Sequence, residues 1–367
     1  MPRRGLTFAT PCITRSCPTI RAARLADGAA RVDSLLAVRV SAVAPDAHLI
    51  EWDESYANGP VDITAHRLPE ASDAAESAVR GATGSARLAT PGLARPYFRL
   101  VPAHGETLIV ARRDLPLAGC VNFRDLGGYA TDDGRRLRWG RVFRSGHMAN
   151  LSEAGKRDFA TLAIRAVCDF RMAEEREAEN AELPGTPAVA TLGIPPGVGD
   201  RQYFHRVFAS TRDPAKVLDA VHATMRAIVR DAGTRYARMF DVLRAGRDGA
   251  VLLNCSAGKE RTGIGSALFL TALGVPRETV LHDFLLSRTY FPALSEVARV
   301  REKYGVQEES DEIATALVMP LLETHASYLE AAFGAIEDAY PSMDDFLARV
   351  CGIGPAERRE LREIYTC

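Results

Sequence analysis

The stretch LLNCSAGKERTGIG, residues 252–265, decides the fold class of this chain. The continuous apolar run AVLLN, residues 250–254, overlaps the beginning of this stretch. It predicts a buried strand that ends at Cys255. A helical pattern begins at about Thr262, so six residues must turn between the strand and the helix. A buried strand that passes through a short loop into a helix is typical of a mainly parallel sheet with helices on both faces. We therefore expect an α/β fold around this segment.

The loop between that strand and that helix has the composition of an anion-binding site. Ser256, Ala257 and Gly258 are small, so successive backbone N–H groups are able to point inward and form an anion nest. The helix directs its positive end to the same place, and Arg261 presents a fork of donors that matches two oxygens of a tetrahedral dianion. These groups favour the thiolate of Cys255, which then faces a bound phosphate as the nucleophile for phosphoryl transfer.

Two other interpretations of the loop fit its residues less well. A lone cysteine on a core strand is usually buried and inert, but here every position of the loop suits an anion site. The pair Gly258-Lys259 resembles the GK[ST] of a nucleotide-binding P-loop. That interpretation fails because Glu260 stands where Ser or Thr is needed, and Leu253 stands where the first glycine is needed.

The first third of the chain has a β-type pattern. Residues 26–114 contain short alternating runs that predict a small all-β sandwich: VDSLLAVRVSAV, AHLIEWD, VDITAHRL and the hairpin YFRLVPAHGETLIVARR. In the same region DAAESAVRGA predicts one short helical turn. Residues 1–25 carry several arginines and no sustained apolar segment. This predicts a disordered tail, with a weak targeting segment as the alternative, and argues against a secretory signal.

From residue 115 to residue 367 the pattern changes to strands that alternate with helices. RAVCDF, residues 165–170, predicts a second buried strand beside AVLLN. Apolar spacings of three and four predict helices over residues 214–244, from Thr262 to about Gly274, from Pro276 onward, and over most of residues 317–361. The 367 residues thus divide into about two domains, a sandwich at 26–114 and an α/β domain at 115–367.

Composition excludes several classes of function. Hydrophobic content of 47% and charged content of 25% are typical of a soluble globular protein, and a net charge of −1 gives no strong field for nucleic acid or a membrane surface. No apolar run approaches the roughly 20 residues of a membrane-spanning helix. Seven cysteines without a CxxC pair argue against disulfides and a zinc ribbon, and the histidines show no metal-ligand spacing. We expect a cytoplasmic protein without metal or cofactor.

Three motifs resemble one known family. CSAGKERTG resembles the C-x5-R-[ST] signature of cysteine-dependent phosphatases, in the lysine-containing form HCxAGK[DE]RTG of a bacterial tyrosine-phosphatase family related to a secreted mycobacterial enzyme. NFRDLGG, residues 122–128, and VFRS, residues 142–145, resemble the front of that family's catalytic domain. VCDFRMAEERE resembles its "DLR…EE" segment, and the resemblance covers residues 115–367. The Trp52 strand and the RPYFRLV hairpin resemble, more loosely, a fibronectin type III-like module.

The resemblance implies specific roles for the residues of the loop. Cys255 would form a phosphocysteine intermediate, Arg261 would bind the phosphate, and Thr262 would assist hydrolysis by hydrogen-bonding the sulfur. Lys259 would add a second cation at the edge of the loop, which in similar loops goes with phosphoinositide activity; its alternative is a solvated lysine. The residues expected to bind substrate are then Ser256, Ala257, Gly258, Lys259 and Asp125.

The leaving oxygen needs a general acid, and several carboxyl groups are candidates. The resemblance favours Glu260, which precedes the arginine of the loop; its alternative role is to orient a loop amide or the arginine. Asp125 of NFRDLGG is the second candidate, although a role in bracing the fold is the competing interpretation. Asp200 follows the flexible IPPGVGD and is a third candidate, on a mobile lid. Asp169 and Arg171 are expected to form a structural pair.

One residue of the loop departs from the family pattern. Asn254 stands where the family usually has a histidine; its amide can donate and accept hydrogen bonds but carries no positive charge. We expect a phosphatase with a less favoured thiolate, which acts on phosphotyrosine, phosphoserine/threonine or phosphoinositides. The alternative is a weakly active or inactive pseudo-phosphatase that binds phosphate or serves as a scaffold. A protein partner for the sandwich is a further expectation, and Cys168 is either a packed small side chain or a redox-resolving thiol.

Overall fold

The computed structural model describes residues 33–198, 202–307 and 310–367. The predicted tail at residues 1–25 and the lid candidate Asp200 lie outside the described residues. Residues 32–367 form one compact unit, so the β-rich region and the α/β region pack as parts of the same body.

Seven strands near the N-terminus form two antiparallel sheets, of strand order β1-β2-β5 and β4-β3-β6-β7. Alternate side chains of these strands, such as Ile50, Ile63 and Phe98, are fully buried in a shared core. The strands are β1 Val38–Ala44, β2 Ala47–Trp52, β3 Val61–His66, β4 Ser77–Ala82, β5 Ser85–Ala89, β6 Tyr97–Pro102 and β7 Leu108–Ala111. The predicted all-β region is thereby confirmed, whereas its fibronectin type III-like character and its boundary at residue 114 stay predictions.

The helical turn predicted from DAAESAVRGA is wrong. Residues Ser77–Ala82 form strand β4, which pairs antiparallel with β3 and places Val79 opposite Ile63. Alanine is a strong helix former, but helix propensity is a small term that tertiary context overrides, and here pairing with a neighbouring strand outweighs it.

Five strands form the central sheet of the α/β region, in the order β11-β10-β12-β9-β8. They are β8 Arg124–Asp125, β9 Val142–Ser145, β10 Ile164–Asp169, β11 Ala188–Thr191 and β12 Ala250–Asn254. The first four in this order are parallel, and β8 runs antiparallel to β9 at the edge. The mainly parallel sheet predicted from the sequence is confirmed, and AVLLN is its central strand.

Helices cover both faces of this sheet, as the alternation along β12 shows. Val251 and Leu253 share a core with α5 and α6, whereas Ala250 and Leu252 pack in a second cluster with Phe159 of α1. The helices are α1 Glu153–Ala160, α2 Ala173–Ala178, α3 Tyr203–Ser210, α4 Pro214–Ala232, α5 Arg235–Ala245, α6 Glu260–Ala272, α7 Arg277–Leu285, α8 Ser287–Tyr290, α9 Val297–Tyr304, α10 Asp311–Leu322, α11 Ala326–Ala339, α12 Met343–Arg349 and α13 Pro355–Tyr365. Within the described ranges, no helix is long and apolar enough to cross a membrane.

Polar contacts join the β-rich region to the NFRDLGG segment and to the loop between β8 and β9. Arg95 forms an ion pair with Asp125, and Arg136 binds Glu106 through two hydrogen bonds of 2.7 and 2.8 Å. The indole Nε1–H of Trp139 donates to the carbonyl of Ile109 at 2.9 Å. The side chain of Asp125 is fully buried, so this contact is part of the protein interior.

Candidate active site

The predicted strand, loop and helix occur in succession at the carboxyl edge of the sheet. Strand β12 ends at Asn254, and α6 begins at Glu260, two residues earlier than the sequence pattern suggested. Arg261 therefore lies in the first turn of α6. Cys255, at the start of the loop, is only 2% exposed.

Surrounding residues hold the carbonyl groups of the loop away from its interior. The side-chain Nδ2 of Asn122 and the Nη2 of Arg144 both donate to the carbonyl of Gly258, each at 2.9 Å. The backbone N–H of His147 donates to the carbonyl of Ser256 at 3.0 Å. Asn122 belongs to NFRDLGG and Arg144 to VFRS, so both motifs directly contact the loop of residues 255–259, the candidate catalytic loop.

The orientation of the carbonyls fixes the orientation of the N–H groups. Across a planar trans peptide, the carbonyl of one residue and the N–H of the next point in opposite directions. The N–H groups of Ala257 and Lys259 therefore point to the interior of the loop, and neither has an acceptor among the residues that the structure describes. These are unfilled donors of the kind that bind an oxyanion.

Gly258 is required by two features of the loop. Its φ of +67° lies in the left-handed region that side chains rarely adopt. A Cβ at this position would also lie 2.4 Å from the carbonyl carbon of Ser145, at the end of β9. Loop conformation and close packing on β9 thus both depend on this glycine.

Arg261 is held by a carboxylate that the sequence analysis did not single out. Glu175 of α2 binds the guanidinium through two hydrogen bonds, Nη1 to Oε2 at 2.6 Å and Nη2 to Oε1 at 2.9 Å. Glu175 also accepts from the hydroxyl of Ser256 at 2.7 Å. The signal was present in the second E of the VCDFRMAEERE segment, but nothing local linked it to the loop.

Glu175 and Arg261 are both charged at neutral pH. Burial opposes the charge of Glu175, but the guanidinium of Arg261 outweighs it and lowers the pKa of the carboxyl to about 2. Burial likewise opposes the charge of Arg261, and Glu175 outweighs it and raises the pKa of the guanidinium. Glu175 is therefore an orienting anion at neutral pH and has no proton to give to a leaving group.

Lys259 and Glu260 lie side by side at the start of α6. The ammonium of Lys259 is 3.4 Å from Oε1 of Glu260 and donates to the carbonyls of Leu321 and Leu322 at 2.9 and 2.5 Å. Its side chain is 1% exposed, and burial lowers its pKa. The interpretation as a solvated lysine is therefore wrong, and the role at the edge of the loop stays a prediction.

The other predicted carboxylates are bound elsewhere in the fold. Asp125 accepts from Arg95 and from the backbone N–H groups of Gly127 and Gly140, both at 2.7 Å. These contacts support the bracing interpretation of Asp125 rather than a role in substrate binding or proton transfer. Asp169 pairs with Arg171 at 2.8 Å, which confirms the predicted structural pair.

Several polar side chains next to the loop are buried without a partner in the described part of the chain. They are both amide atoms of Asn254, and the hydroxyls of Thr262 and Ser266. The hydrogen bond predicted from Thr262 to the sulfur of Cys255 is therefore not made in this arrangement. Thr262 is fully buried in the first turn of α6, so its hydroxyl is held close to the catalytic loop.

Cys168 has the surroundings of a packed small side chain. It is fully buried on β10 opposite Leu253, and burial, together with the neighbouring Asp169, raises the pKa of its thiol to about 12. Among the described residues each cysteine is free, and no group of side chains could hold a metal ion.

Comparison with known proteins places this site in a family. The model of the tyrosine phosphatase family matches residues 115–367. The chain belongs to the tyrosine phosphatase family. A putative tyrosine-protein phosphatase of Cupriavidus necator is 32% identical over 265 residues, which cover 68% of this chain and 89% of the relative. The triple specificity protein phosphatase PtpB of Mycobacterium tuberculosis is 31% identical over 286 residues, which cover 70% and 99%.

This tyrosine phosphatase family member also has solved structural neighbours. The match to the crystal structure of Pseudomonas aeruginosa TpbA covers 50% of this chain and 90% of that chain, at 18% identity and a TM-score of 0.23. The family match confirms the predicted cysteine-phosphatase-like α/β fold and the predicted phosphatase class. The relatives give no support to the pseudo-phosphatase alternative.

Proposed function

We propose that this tyrosine phosphatase family member hydrolyses phosphomonoesters through a phosphocysteine intermediate on Cys255. The observation that carries the proposal is the arrangement of the loop: Cys255 lies at its start, N–H donors point into it, and the guanidinium of Arg261 lies at its end. A tetrahedral dianion in this space meets both the N–H groups and a cation.

The reaction proceeds in two balanced steps. In the first, the thiolate of Cys255 attacks phosphorus as the bond to the leaving oxygen breaks, and Glu260 gives that oxygen its proton. In the second, water attacks the phosphocysteine and gives its proton to the Glu260 carboxylate, the phosphorus–sulfur bond breaks, and the thiolate and inorganic phosphate are released. The unpartnered hydroxyl of Thr262 is free to donate to the sulfur as its negative charge returns.

The substrate range is the finer part of the proposal. Phosphotyrosine is the first expected substrate because of the family to which the chain belongs. One relative is named a triple specificity phosphatase, which supports a range that extends to phosphoserine/threonine and phosphoinositides. Release of inorganic phosphate from phosphotyrosine peptide, phosphoserine peptide and phosphoinositide vesicles tests this; no release from any of the three contradicts the proposed activity.

The role of Glu260 as general acid predicts a selective loss of turnover. Glu260→Gln is expected to lower kcat for an alkyl phosphate by about 10²-fold, because an alkoxide needs a proton as it leaves. The loss should be much smaller with p-nitrophenyl phosphate, whose leaving group needs no proton. The matched control is Glu323→Gln at the end of α10. Full turnover of the alkyl phosphate by Glu260→Gln would remove Glu260 from the role.

The role of Lys259 in substrate choice predicts a change in the ratio of two activities. The ammonium must leave the carbonyls of Leu321 and Leu322 to reach a second phosphate group of a phosphoinositide. We expect Lys259→Met to lower phosphoinositide hydrolysis by about tenfold more than phosphotyrosine hydrolysis, since one cation–phosphate contact is lost. Equal losses in kcat/KM for both substrates would show that Lys259 acts only through packing.

We also propose a cytoplasmic location, because the described cysteines are free and disulfides are rare in that compartment. A protein partner for the β-rich region is a further proposal.

A further inference from the structure

Two buried arginines share a single carboxylate behind the catalytic loop. Nη1 of Arg144 lies 2.7 Å from Oδ2 of Asp283, and Nε of Arg124 lies 3.5 Å from Oδ1 of the same group. The side chains of both arginines are fully buried, and that of Asp283 is 1% exposed. These three side chains, called the Asp283 cluster below, therefore carry two positive charges and one negative charge.

All three members of the Asp283 cluster are charged at neutral pH. Burial opposes the charge of Asp283, but Arg124 and Arg144 outweigh it and lower the pKa of the carboxyl to about 2. Burial and the nearby Arg144 lower the pKa of Arg124, but only to about 10. Burying a net positive charge away from water costs free energy. An anion next to the Asp283 cluster would therefore be stabilised by that charge.

Arg144 places this net positive charge next to the catalytic loop. Nη2 of Arg144 donates to the carbonyl of Gly258 at 2.9 Å and to that of Lys259 at 3.5 Å. The two other cations of the loop each have a carboxylate of their own, Arg261 with Glu175 and Lys259 with Glu260. The Asp283 cluster is thus the contact of the loop that brings net positive charge.

We propose that Arg144 is a positioning residue for phosphoryl transfer and that the Asp283 cluster supplies positive charge that stabilises the Cys255 thiolate. The inference rests on the proposed function and deepens it. Arg144 acts in two ways through the loop: it holds the Gly258 carbonyl outward, which turns the next N–H inward, and it carries a charge behind that peptide. The residue that precedes the cysteine, Asn254, is neutral and fully buried, so it adds no charge of its own.

Other charged and titratable groups also surround Cys255. Helix α6 contributes Glu260 and Arg261, Lys259 precedes it, and α2 contributes Glu175. From α5, the hydroxyl of Tyr236 donates to the carbonyl of Arg261 at 2.9 Å, and burial raises its pKa.

Two further elements bring groups that titrate or carry charge. After β9, His147 lies 3.7 Å from Glu179, and burial lowers the pKa of its imidazole. From α9, Lys303 and Tyr304 interact electrostatically with Arg261 and Glu175. Burial lowers the pKa of Lys303 and raises that of Tyr304 to about 12.

The test measures Cys255 itself and does not require turnover. The rate of iodoacetamide alkylation is followed against pH by mass spectrometry of the peptide that contains Cys255, because only the thiolate reacts. Arg144→Gln should move the midpoint of this reactivity upward by about one pH unit, the scale of one charge at a partly buried site. Arg144→Lys keeps the charge and loses the fork, so its midpoint should stay while kcat falls.

A second substitution tests whether the effect is one of charge. Asn254→His in the Arg144→Gln background restores a cation beside Cys255 at acidic pH and should move the midpoint back down. The matched control is Arg141→Gln, whose guanidinium donates to the carbonyls of Gly246 and Arg247 and should leave the midpoint in place.

The proposal is overturned if the folded Arg144→Gln variant has the midpoint of the unchanged protein. If that variant does not fold, Arg124→Gln removes the other positive charge of the Asp283 cluster. Arg124 reaches the loop only through its hydrogen bond to Asn122, and an unchanged midpoint in this variant also overturns the proposal. An upward shift in a protein that releases no phosphate would refute the proposed function and leave this inference standing. An upward shift together with phosphate release supports both.

Discussion

Replacement of Cys255 by serine is expected to lower kcat for p-nitrophenyl phosphate by about 10⁴-fold or more, because it removes the nucleophile of the reaction. A serine hydroxyl is a much weaker acid than a thiol, so it offers no comparable anionic nucleophile. The proposed phosphate donors are the backbone N–H groups of the loop and Arg261, and the substitution changes neither. Binding of a phosphotyrosine peptide should therefore persist, and calorimetry of that binding measures it alongside the lost release of p-nitrophenolate.

Cys168→Ser is the matched control for this substitution. Cys168 is a buried cysteine on the neighbouring strand β10, and its variant should keep the rate of the unchanged protein to within a few fold. If Cys255→Ser keeps a tenth or more of the original kcat, the covalent mechanism is wrong for this protein.

Arg261→Lys is expected to lower kcat/KM by about 10²-fold to 10³-fold, or about 3–4 kcal/mol of transition-state stabilisation. Glu175 orients the guanidinium of Arg261 through two parallel hydrogen bonds, and the carbonyl of Ile194 and the hydroxyl of Ser256 accept from the same two nitrogens. The Nε–H has no acceptor among the described residues, and a single ammonium cannot make this set of bonds. Arg261→Lys keeps the positive charge, so the loss of kcat/KM measures the contribution of the guanidinium's geometry. Initial rates with p-nitrophenyl phosphate and a phosphotyrosine peptide provide the values.

Arg171→Lys is a matched control for that geometry. Arg171 is also buried and forms a similar fork with Asp169, at 3.0 and 2.8 Å, but its other hydrogen bond goes to the carbonyl of Glu179. Its variant should lose stability and little activity. Equal losses of kcat/KM in the two variants would mean that Arg261 acts only through the fold.

The catalytic loop could be predicted from the sequence because its geometry is local. One strand, one loop and one helix are contiguous from residue 250 onward, and Cys255 and Arg261 take their places from that succession. The continuous apolar run of β12 likewise predicts a strand buried on both faces.

The partners of the loop could not be predicted in the same way. Glu175 lies 86 residues from Arg261 along the chain, and the carbonyl of Leu321 lies 62 residues from Lys259. Asp283 binds Arg144 across 139 residues. Each contact depends on how separate elements pack, and no spacing within one segment indicates it. Strand β4 was mispredicted for the same reason, since its pairing with β3 is a property of the sheet.

The central claim is that the phosphoryl group is transferred to the sulfur of Cys255 before water releases it. Trapping of this intermediate tests the claim most directly. The protein is mixed with a radiolabelled phosphotyrosine peptide, quenched in acid within milliseconds and digested, and the labelled peptide is identified. We expect label on the peptide that contains Cys255, formed in a burst before steady turnover, and none in Cys255→Ser. Phosphate release without label on that peptide, or with label elsewhere, would contradict the account.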